Sequence, residues 1–228
     1  MNSKITKVFF FLRGRIVRIT KPNKNYSLYP ISTKFGLDRG TAIDRIYIEK
    51  FLNENSKFIK GRCLEIHDNF YTKRFGGRKV TKSDILDIDK RNKEANIHAD
   101  LKNLKNIIRD DTYDCFILTH TLGLIDEYEK AVSESQRILK PGGTLLVTLA
   151  AINRVSDLEH NYWRFTKASA KYVFGKYFEG KKLNVQSYGN VLAAQAFIVG
   201  MSAQDLKEKE LSFNDPHYPI VIAVKAQK

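Results

Sequence analysis

The chain has 228 residues, of which 43% are hydrophobic and 28% are charged, and its formal net charge is +14. This length and apolar content predict one globular domain of α/β size with a substantial core. No run of about 18 apolar residues is present, which at the sequence level excludes a membrane-spanning helix. The N-terminal stretch KVFFFLRGRIVRI is too short and too interrupted by arginine to span a bilayer or to act as a cleavable signal, so we expect a cytoplasmic protein.

The positive charge is concentrated in residues 1–36, which we interpret as a basic, aromatic-rich arm. This segment contains no acidic residue, and apolar side chains alternate with the basic ones. The arm could bind a nucleic acid, an acidic partner or an anionic membrane, which would place the protein peripherally at the inner face of that membrane. It could also be a solvated arm packed by its own aromatic side chains.

Residues 37–228 are predicted to form the domain, which begins with a helix. In LDRGTAIDRIYIEKFLNEN, Thr41 and Asp44 form a capping-box pattern. One broad apolar stripe follows, so we expect this helix to cover a sheet. The stripe consists of Ile43, Ile46, Tyr47, Phe51 and Leu52.

Short β-rich runs alternate with helical segments in the middle of the chain. The predicted strands are 62–67, 79–84, 95–100, 113–120 and 143–150. Residues 126–139 have a helical pattern that the turn KPGG ends. Only about 11 residues separate His67 from Lys79, fewer than a full helical crossover needs, so YTKRFGG should form a turn or one short helix. Strands that alternate with helices predict a parallel sheet with right-handed crossovers.

The last third of the chain adds two helices and two strands. One helix is predicted to begin at Thr166, and another spans 190–206. The strands 182–188 and 218–226 bring the total to seven, and one of them can insert antiparallel to the rest. We therefore predict a Rossmann-like, doubly wound α/β fold, with a mostly parallel seven-stranded sheet, one antiparallel strand and helices on both faces.

The run SESQRILKPGGTLLVTLA at 133–150 resembles part of a known family. Its helix, turn and strand are similar to the fourth helix and fifth strand of class I S-adenosylmethionine-dependent methyltransferases with a type 11 methyltransferase domain. The strand at 113–120, an acid at the end of the second strand and NYWRFT downstream agree with this. The resemblance covers residues 37–225 and implies S-adenosylmethionine as the cofactor.

Two further motifs resemble a narrower subgroup of that family. Phe35 to Leu52 match FGLDRGTxIDRxYIExFL, and Glu65 to Gly77 match EIxDNxYTxxFGG, which replaces the usual glycine-rich turn. Members of the subgroup are often encoded near, or fused to, enzymes of glycan assembly. The resemblance therefore implies a place in glycan biosynthesis.

The resemblance also bears on the cysteines. Cys63 and Cys115 lack the spacing of a metal site and a secretory context, so we expect buried, reduced thiols. The family's strand order places the first and fourth strands side by side. The two cysteines are therefore expected on neighbouring strands.

The same resemblance implies that the turn after the first strand binds the cofactor. The family's three turn glycines, which let the backbone approach the cofactor, correspond to His67, Asn69 and Tyr71. The subgroup keeps glycine at the first position, so His67 is a departure that could contact the cofactor or block the pocket. Asn69 tolerates a left-handed conformation, and Glu65 or Asp68 could hold the cofactor's ammonium group.

Further site residues follow from the ends of the other strands. Asp84 ends the second predicted strand, where the resemblance implies an acid on the ribose hydroxyls; a solvated loop aspartate is the alternative. Asp100 matches the position that accepts the adenine amino group, and Leu101 would pack on the ring. Thr119 and His120 end the fourth strand, where cofactor and substrate meet. His120 is the candidate catalytic base, with helix capping or pocket lining as alternatives.

Residues 160–166, HNYWRFT, lie on the loop that borders the acceptor pocket in this family. Tyr162 and Trp163 offer stacking surfaces for a sugar or an aromatic acceptor, and Arg164 could hold an anionic group. Trp163 could equally anchor the loop to the core.

The resemblance implies an enzyme that transfers a methyl group from S-adenosylmethionine, and we expect the acceptor to be an oxygen of a small molecule or glycan. We expect no metal, because the reaction needs positioning and deprotonation. The glycine-poor turn leaves a second hypothesis, a non-catalytic binding module that kept the fold and lost the cofactor. The charge leaves a third, a nucleic-acid methyltransferase, which the absence of an Asn-Pro-Pro-Tyr type tetrapeptide disfavours. Asp44 and Arg45 could line the acceptor cleft or merely pair at the surface.

Overall fold

The structure of the protein is a computed structural model that describes residues 27–155 and 160–228. Residues 1–26, with most of the predicted basic arm, lie outside the described residues. One folded unit spans Ile31–Lys228, and it includes residues 31–36, which the sequence assigns to the arm. Within the described ranges, no helix has both the length and the apolar surface that crossing a bilayer requires.

Seven strands of the described chain form one sheet. They are β1 (Gly61–Ile66), β2 (Val80–Asp87), β3 (Ile97–His98), β4 (Tyr113–Thr119), β5 (Leu139–Ala150), β6 (Leu183–Tyr188) and β7 (Val221–Gln227). Their order across the sheet is β3-β2-β1-β4-β5-β7-β6. Strand β7 runs antiparallel to β5 and β6, and the other described pairs are parallel. The predicted mostly parallel seven-stranded sheet with one antiparallel strand is confirmed.

Helices cover both faces of this sheet. The described α-helices are α1 (Ile43–Glu54), α2 (Tyr128–Ile138), α3 (Lys167–Phe174), α4 (Val191–Ile198) and α5 (Glu208–Ser212). One core contains Val132 of α2 and Phe174 of α3. The other contains Tyr47 of α1 and Phe197 of α4. The inner strands are therefore buried on two faces, which explains why they read as nearly continuous apolar runs.

The start of α1 differs from the predicted capping box. The N-cap residue is Ala42, and no side chain caps the helix. The Thr41 N–H donates to Oε1 of Gln204 at 2.9 Å, and Ala42 forms a β-bridge with Ser202. These contacts tie the helix start to residues 202–204, so the Asp44 carboxylate is not used as a cap.

The connection from β1 to β2 is short, as predicted. A π-helical turn at Thr72–Gly76 and a 3-10 turn at Gly77–Lys79 replace a full crossover helix. Gly77 has a φ of 54°, a left-handed conformation that glycine adopts without steric cost. The beginning of this turn is hydrogen-bonded to the end of β1, because the Tyr71 and Thr72 N–H groups donate to the Glu65 carboxylate.

Two helix ends show how far the local pattern determines structure. The predicted start of α3 at Thr166 is confirmed, because Thr166 Oγ1 accepts the Ser169 N–H at 3.1 Å and Ser169 Oγ accepts the Thr166 N–H at 2.9 Å. Helix α4 ends at Ile198, well before the predicted residue 206. Gly200 follows with a φ of 79°, which stops the helix.

The two cysteines lie opposite each other on β1 and β4, as the resemblance implied. Cys63 pairs in register with Cys115, and both are buried and free. The neighbouring Cys63 sulfur and burial raise the pKa of the Cys115 thiol. Both properties disfavour the reactive thiolate.

We therefore expect thiol reagents to label the folded protein at least about 100-fold more slowly than the unfolded chain, because labelling requires local opening that costs several kcal/mol. The measurement compares labelling rates with and without denaturant at one pH. Rapid labelling of the folded protein, or a disulfide in native material, would contradict the prediction.

Candidate functional site

A cleft lies at the edge of the sheet where β1, β2 and β4 end, as is typical of open parallel sheets. Its larger cavity has a volume of about 750 Å³ and a mainly apolar lining that includes Asp87 and Asp100. Its smaller cavity has a volume of about 350 Å³ and is lined in part by residues of α1. Both cavities share Ile66, His67, Thr119, His120 and Thr121.

Glu65 is a buried carboxylate near the end of β1 that borders the smaller cavity. Its two oxygens accept the backbone N–H groups of Tyr71 at 3.1 Å and Thr72 at 2.7 Å. Burial raises the pKa of Glu65 to about 7, although these hydrogen bonds favour the ionised form. Glu65 thus holds the turn after β1 in place and changes charge close to neutral pH.

This pKa predicts a pH dependence of stability. The folded state holds the Glu65 proton up to about pH 7, whereas the unfolded state releases it near 4.5. The stabilisation of the folded state by the Glu65 proton is therefore complete below pH 4.5. It is lost as the pH rises towards 7, and the free energy of unfolding decreases by about 3 kcal/mol. In denaturant unfolding between about pH 4 and 8, the free energy of unfolding of wild type should fall by about 3 kcal/mol relative to that of Glu65→Gln, which has no titrating group at this position. Parallel curves would contradict this prediction.

His67 stands where the family has its first turn glycine, and it adopts the left-handed conformation with a φ of 72°. Its Nδ1 lies 2.9 Å from Oδ2 of Asp87, and its carbonyl oxygen accepts a hydrogen bond from Asn92 at 2.6 Å. The side chain is 75% exposed and borders both cavities. The turn keeps a glycine-like backbone, while the imidazole stands in the cleft and is tied to the end of β2.

The other turn positions divide between cleft and surface. Asp68 and Tyr71 line the smaller cavity, whereas Asn69 lines neither cavity. Asp68 Oδ1 accepts the Phe70 N–H at 2.8 Å. The left-handed residue of the turn is His67 and not Asn69, which corrects the expectation for Asn69.

The position predicted for Asp84 is wrong. Strand β2 continues to Asp87, so Asp84 lies within the strand, is 1% exposed and lines neither cavity. Its carboxylate accepts hydrogen bonds from Arg62 and Asn96, each at 2.7 Å, and from the Tyr113 hydroxyl at 3.1 Å. These donors satisfy the buried charge, which is why an acid can stand inside the sheet.

Asp87 is the acid at the end of β2 that the sequence reasoning missed. It lines the larger cavity, and its Oδ2 contacts His67 Nδ1 and accepts a hydrogen bond from Asn92 at 2.7 Å. Its Oδ1 accepts the Asp89 N–H at 2.9 Å. The sequence does contain a signal for this position, because the apolar residues Ile85 and Leu86 follow Asp84 and continue the strand to Asp87.

Asp100, Leu101 and Thr119 line the larger cavity, and Thr119 also borders the smaller one; their roles toward the cofactor stay predictions. Asp100 Oδ1 accepts the Lys102 N–H at 2.9 Å, and its Oδ2 lies 3.7 Å from Lys102 Nζ. Leu101 is buried and supplies part of the apolar wall. The structure brings these residues together with Asp87 in one cavity.

His120 borders both cavities and has a φ of 48°. Its backbone N–H donates to the Thr148 carbonyl at 2.8 Å. Its ring Nδ1 lies 3.5 Å from Oδ2 of Asp44. Nε2 is enclosed and has no hydrogen-bond partner in the described part of the chain. Burial lowers the pKa of His120, the charge of Asp44 opposes this shift, and Arg164 adds to it. The ring is therefore neutral at pH 7.

The loop after β5 does not gather its three predicted side chains at one acceptor site. Trp163 Nε1 donates to the carbonyl oxygens of Ile125 at 2.9 Å and Asp126 at 3.2 Å, which supports the anchoring interpretation. Tyr162 lines a small cavity of about 230 Å³ beside Asp126. Arg164 donates to the Trp163 carbonyl at 2.9 Å and lines neither main cavity.

Comparison with known proteins gives a sequence match in the middle of the chain. Residues 69–147 match the family model described as a methyltransferase domain. A search of curated proteins found no match.

Solved structures share the fold. A SAM-dependent methyltransferase from Archaeoglobus fulgidus is 12% identical, with 81% of this chain and 94% of that chain covered and a TM-score of 0.56. A possible histamine N-methyltransferase from Thermotoga maritima is 18% identical, with the same coverages and a TM-score of 0.53. The cyclase SpnF is 13% identical, with 83% and 84% covered and a TM-score of 0.52.

At these identities the structural likenesses show the fold alone. The sequence match to the methyltransferase domain confirms the predicted reaction class and its cofactor, S-adenosylmethionine. The subgroup and its link to glycan assembly stay predictions.

Proposed function

We propose that this chain, which carries a methyltransferase domain and takes S-adenosylmethionine as its cofactor, transfers the methyl group to an oxygen atom of a small molecule or glycan. The observation that carries the proposal is the division of the cleft. The larger cavity bears carboxylates beside apolar walls, and the smaller one places Asp44 beside His120.

The larger cavity fits the nucleoside part of the cofactor. Asp87, at the end of β2, has an Oδ1 lone pair beyond its bond to the Asp89 N–H, which a ribose hydroxyl can use. Ile88 and Leu101 supply apolar surfaces for a flat base, and Asp100 supplies an acceptor for its amino group. The residues present therefore suit the cofactor, with Asp87 in the role first assigned to Asp84.

The smaller cavity fits the amino-acid part of the cofactor and the acceptor. Asp68 supplies a carboxylate for an ammonium group, and an ammonium group beside Glu65 would favour the ionised form of that carboxyl. When bound, the cofactor supplies an electrophilic methyl group. Phe35 offers an apolar surface, and Arg45 and Asn153 offer hydrogen-bonding groups, a combination that suits a hydroxylated acceptor.

His120 is the group proposed to take the acceptor's hydroxyl proton. Burial lowers its pKa, so the imidazole is neutral and able to accept a proton at pH 7. Its Nε2 lacks a partner in the described structure, and a hydroxyl that reaches it would supply the missing hydrogen bond.

A second candidate function is a binding module of this fold without catalysis. The observation that favours it is the contact between His67 and Asp87, which uses acceptor capacity at the ribose position. The methyltransferase must bind S-adenosylmethionine, whereas the non-catalytic module does not.

Calorimetric titration with S-adenosylmethionine separates the two candidates. For the methyltransferase we expect binding at micromolar to sub-millimolar concentration, which corresponds to about 5–8 kcal/mol. Absence of binding at millimolar cofactor would overturn the proposal and favour the module.

A further inference from the structure

We infer that Asp44 is a positioning residue that holds His120 in the tautomer with the hydrogen on Nδ1 and leaves Nε2 as the proton-accepting atom. The inference rests on the proposed function, because it concerns the residue proposed there to take the acceptor's proton. It assigns a task to the helix that precedes the sheet, since Asp44 lies in the first turn of α1.

The position of Asp44 is determined by the backbone around it. The carboxylate is 16% exposed, and its Oδ1 accepts the Arg45 N–H at 2.8 Å. The β-bridge between Ala42 and Ser202 and the hydrogen bond from Ala203 N–H to the Thr41 carbonyl hold the start of α1 in place. Oδ2 remains directed at His120, with 3.5 Å between it and Nδ1.

The position of His120 is determined from the other side. Its hydrogen bond to the Thr148 carbonyl and its left-handed backbone set the direction of the side chain at the end of β4. Nδ1 faces the Asp44 carboxylate, whereas Nε2 is enclosed without a partner in the described residues. A hydrogen on Nε2 would be a buried donor without an acceptor, and it would also turn the lone pair of Nδ1 towards a carboxylate oxygen. Both effects favour the hydrogen on Nδ1.

The charges around His120 act in opposite directions. Burial and Arg164 disfavour the protonated ring, and Asp44 favours it. The smaller cavity is also lined by five other charged or titratable side chains: Arg45, Glu65, His67, Asp68 and Tyr71. Because burial is the largest influence on the pKa, Asp44 orients a neutral ring and does not make it cationic.

The test is a nitrogen-15 NMR measurement on the full chain with labelled histidine, without cofactor or acceptor. The chain has five histidines, and His120→Gln assigns the signal of interest. In wild type at pH 7 we expect the Nδ1–H form in at least about tenfold excess. In Asp44→Ala, which removes the acceptor and the charge, this excess should fall to near parity and the titration midpoint of His120 should decrease.

Two further variants distinguish the effect of the Asp44 oxygen as a hydrogen-bond acceptor from the effect of its negative charge. Asp44→Asn keeps an oxygen that can accept from Nδ1–H, so the tautomer excess should persist while the titration midpoint decreases. Asp68→Asn removes a carboxylate from the same cavity without a contact to His120 and should leave both values unchanged. The signals of the other four histidines report whether each variant is folded.

The inference is overturned if Asp44→Ala keeps the wild-type tautomer excess, or if wild-type His120 carries its hydrogen on Nε2 or is protonated at pH 7. This outcome is independent of the proposed function, whose own test is cofactor binding by calorimetry. A chain that binds S-adenosylmethionine but shows no tautomer change would retain the function and lose the role of Asp44.

Discussion

Asp87→Ala should weaken the binding of S-adenosylmethionine by about 1–3 kcal/mol, because a ribose hydroxyl would lose its acceptor at the end of β2. Calorimetric titration of wild type and variant measures the difference. Asp84→Ala is the matched control, since it removes the acid that lies three residues earlier in the same strand. Unchanged affinity in Asp87→Ala would contradict the assignment of the ribose position.

The variants Asp87→Ala and Asp84→Ala should also differ in their effects on the free energy of unfolding. Asp84→Ala leaves Arg62, Asn96 and the Tyr113 hydroxyl without their shared carboxylate, so the free energy of unfolding should fall by about 2–4 kcal/mol. Asp87→Ala should cost less, because His67 and Asn92 remain accessible to water. Denaturant unfolding of both variants tests this order, and a larger loss for Asp87→Ala would reverse our interpretation of the two acids.

His67→Gly should tighten cofactor binding about five- to tenfold and stabilise the fold by about 1 kcal/mol. Glycine adopts the φ of 72° without strain, and its substitution frees Oδ2 of Asp87 from the imidazole. The increase in affinity is measured by calorimetry and the increase in stability by denaturant unfolding.

The control for this change is His67→Asn. Asparagine tolerates the left-handed conformation and keeps a donor that can reach Asp87, so we expect an affinity close to wild type. If His67→Gly instead weakens binding, the imidazole contacts the cofactor, and the departure from glycine is a binding feature of this chain.

The sequence alone determined the elements whose signal is local. Strand β4 contains an apolar run at residues 115–118, the start of α3 depends on Thr166 and Ser169, and the connection after β1 is too short for a full helix. In each case the interacting groups are a few residues apart, so their pattern is visible along the chain. That β1 and β4 are neighbours was implied by the resemblance to a family, because no local pattern specifies which strands are neighbours.

Only the tertiary structure decided where the polar site residues stand. Asp84 could be read as a strand end until Arg62 and Tyr113, 22 and 29 residues away in sequence, were seen to satisfy its charge inside the sheet. Likewise, Asp44 matched a capping pattern, yet it faces His120 because residues 202–204 hold the start of α1. A buried polar group is stable only with partners, and those partners come from distant segments that the fold alone brings together.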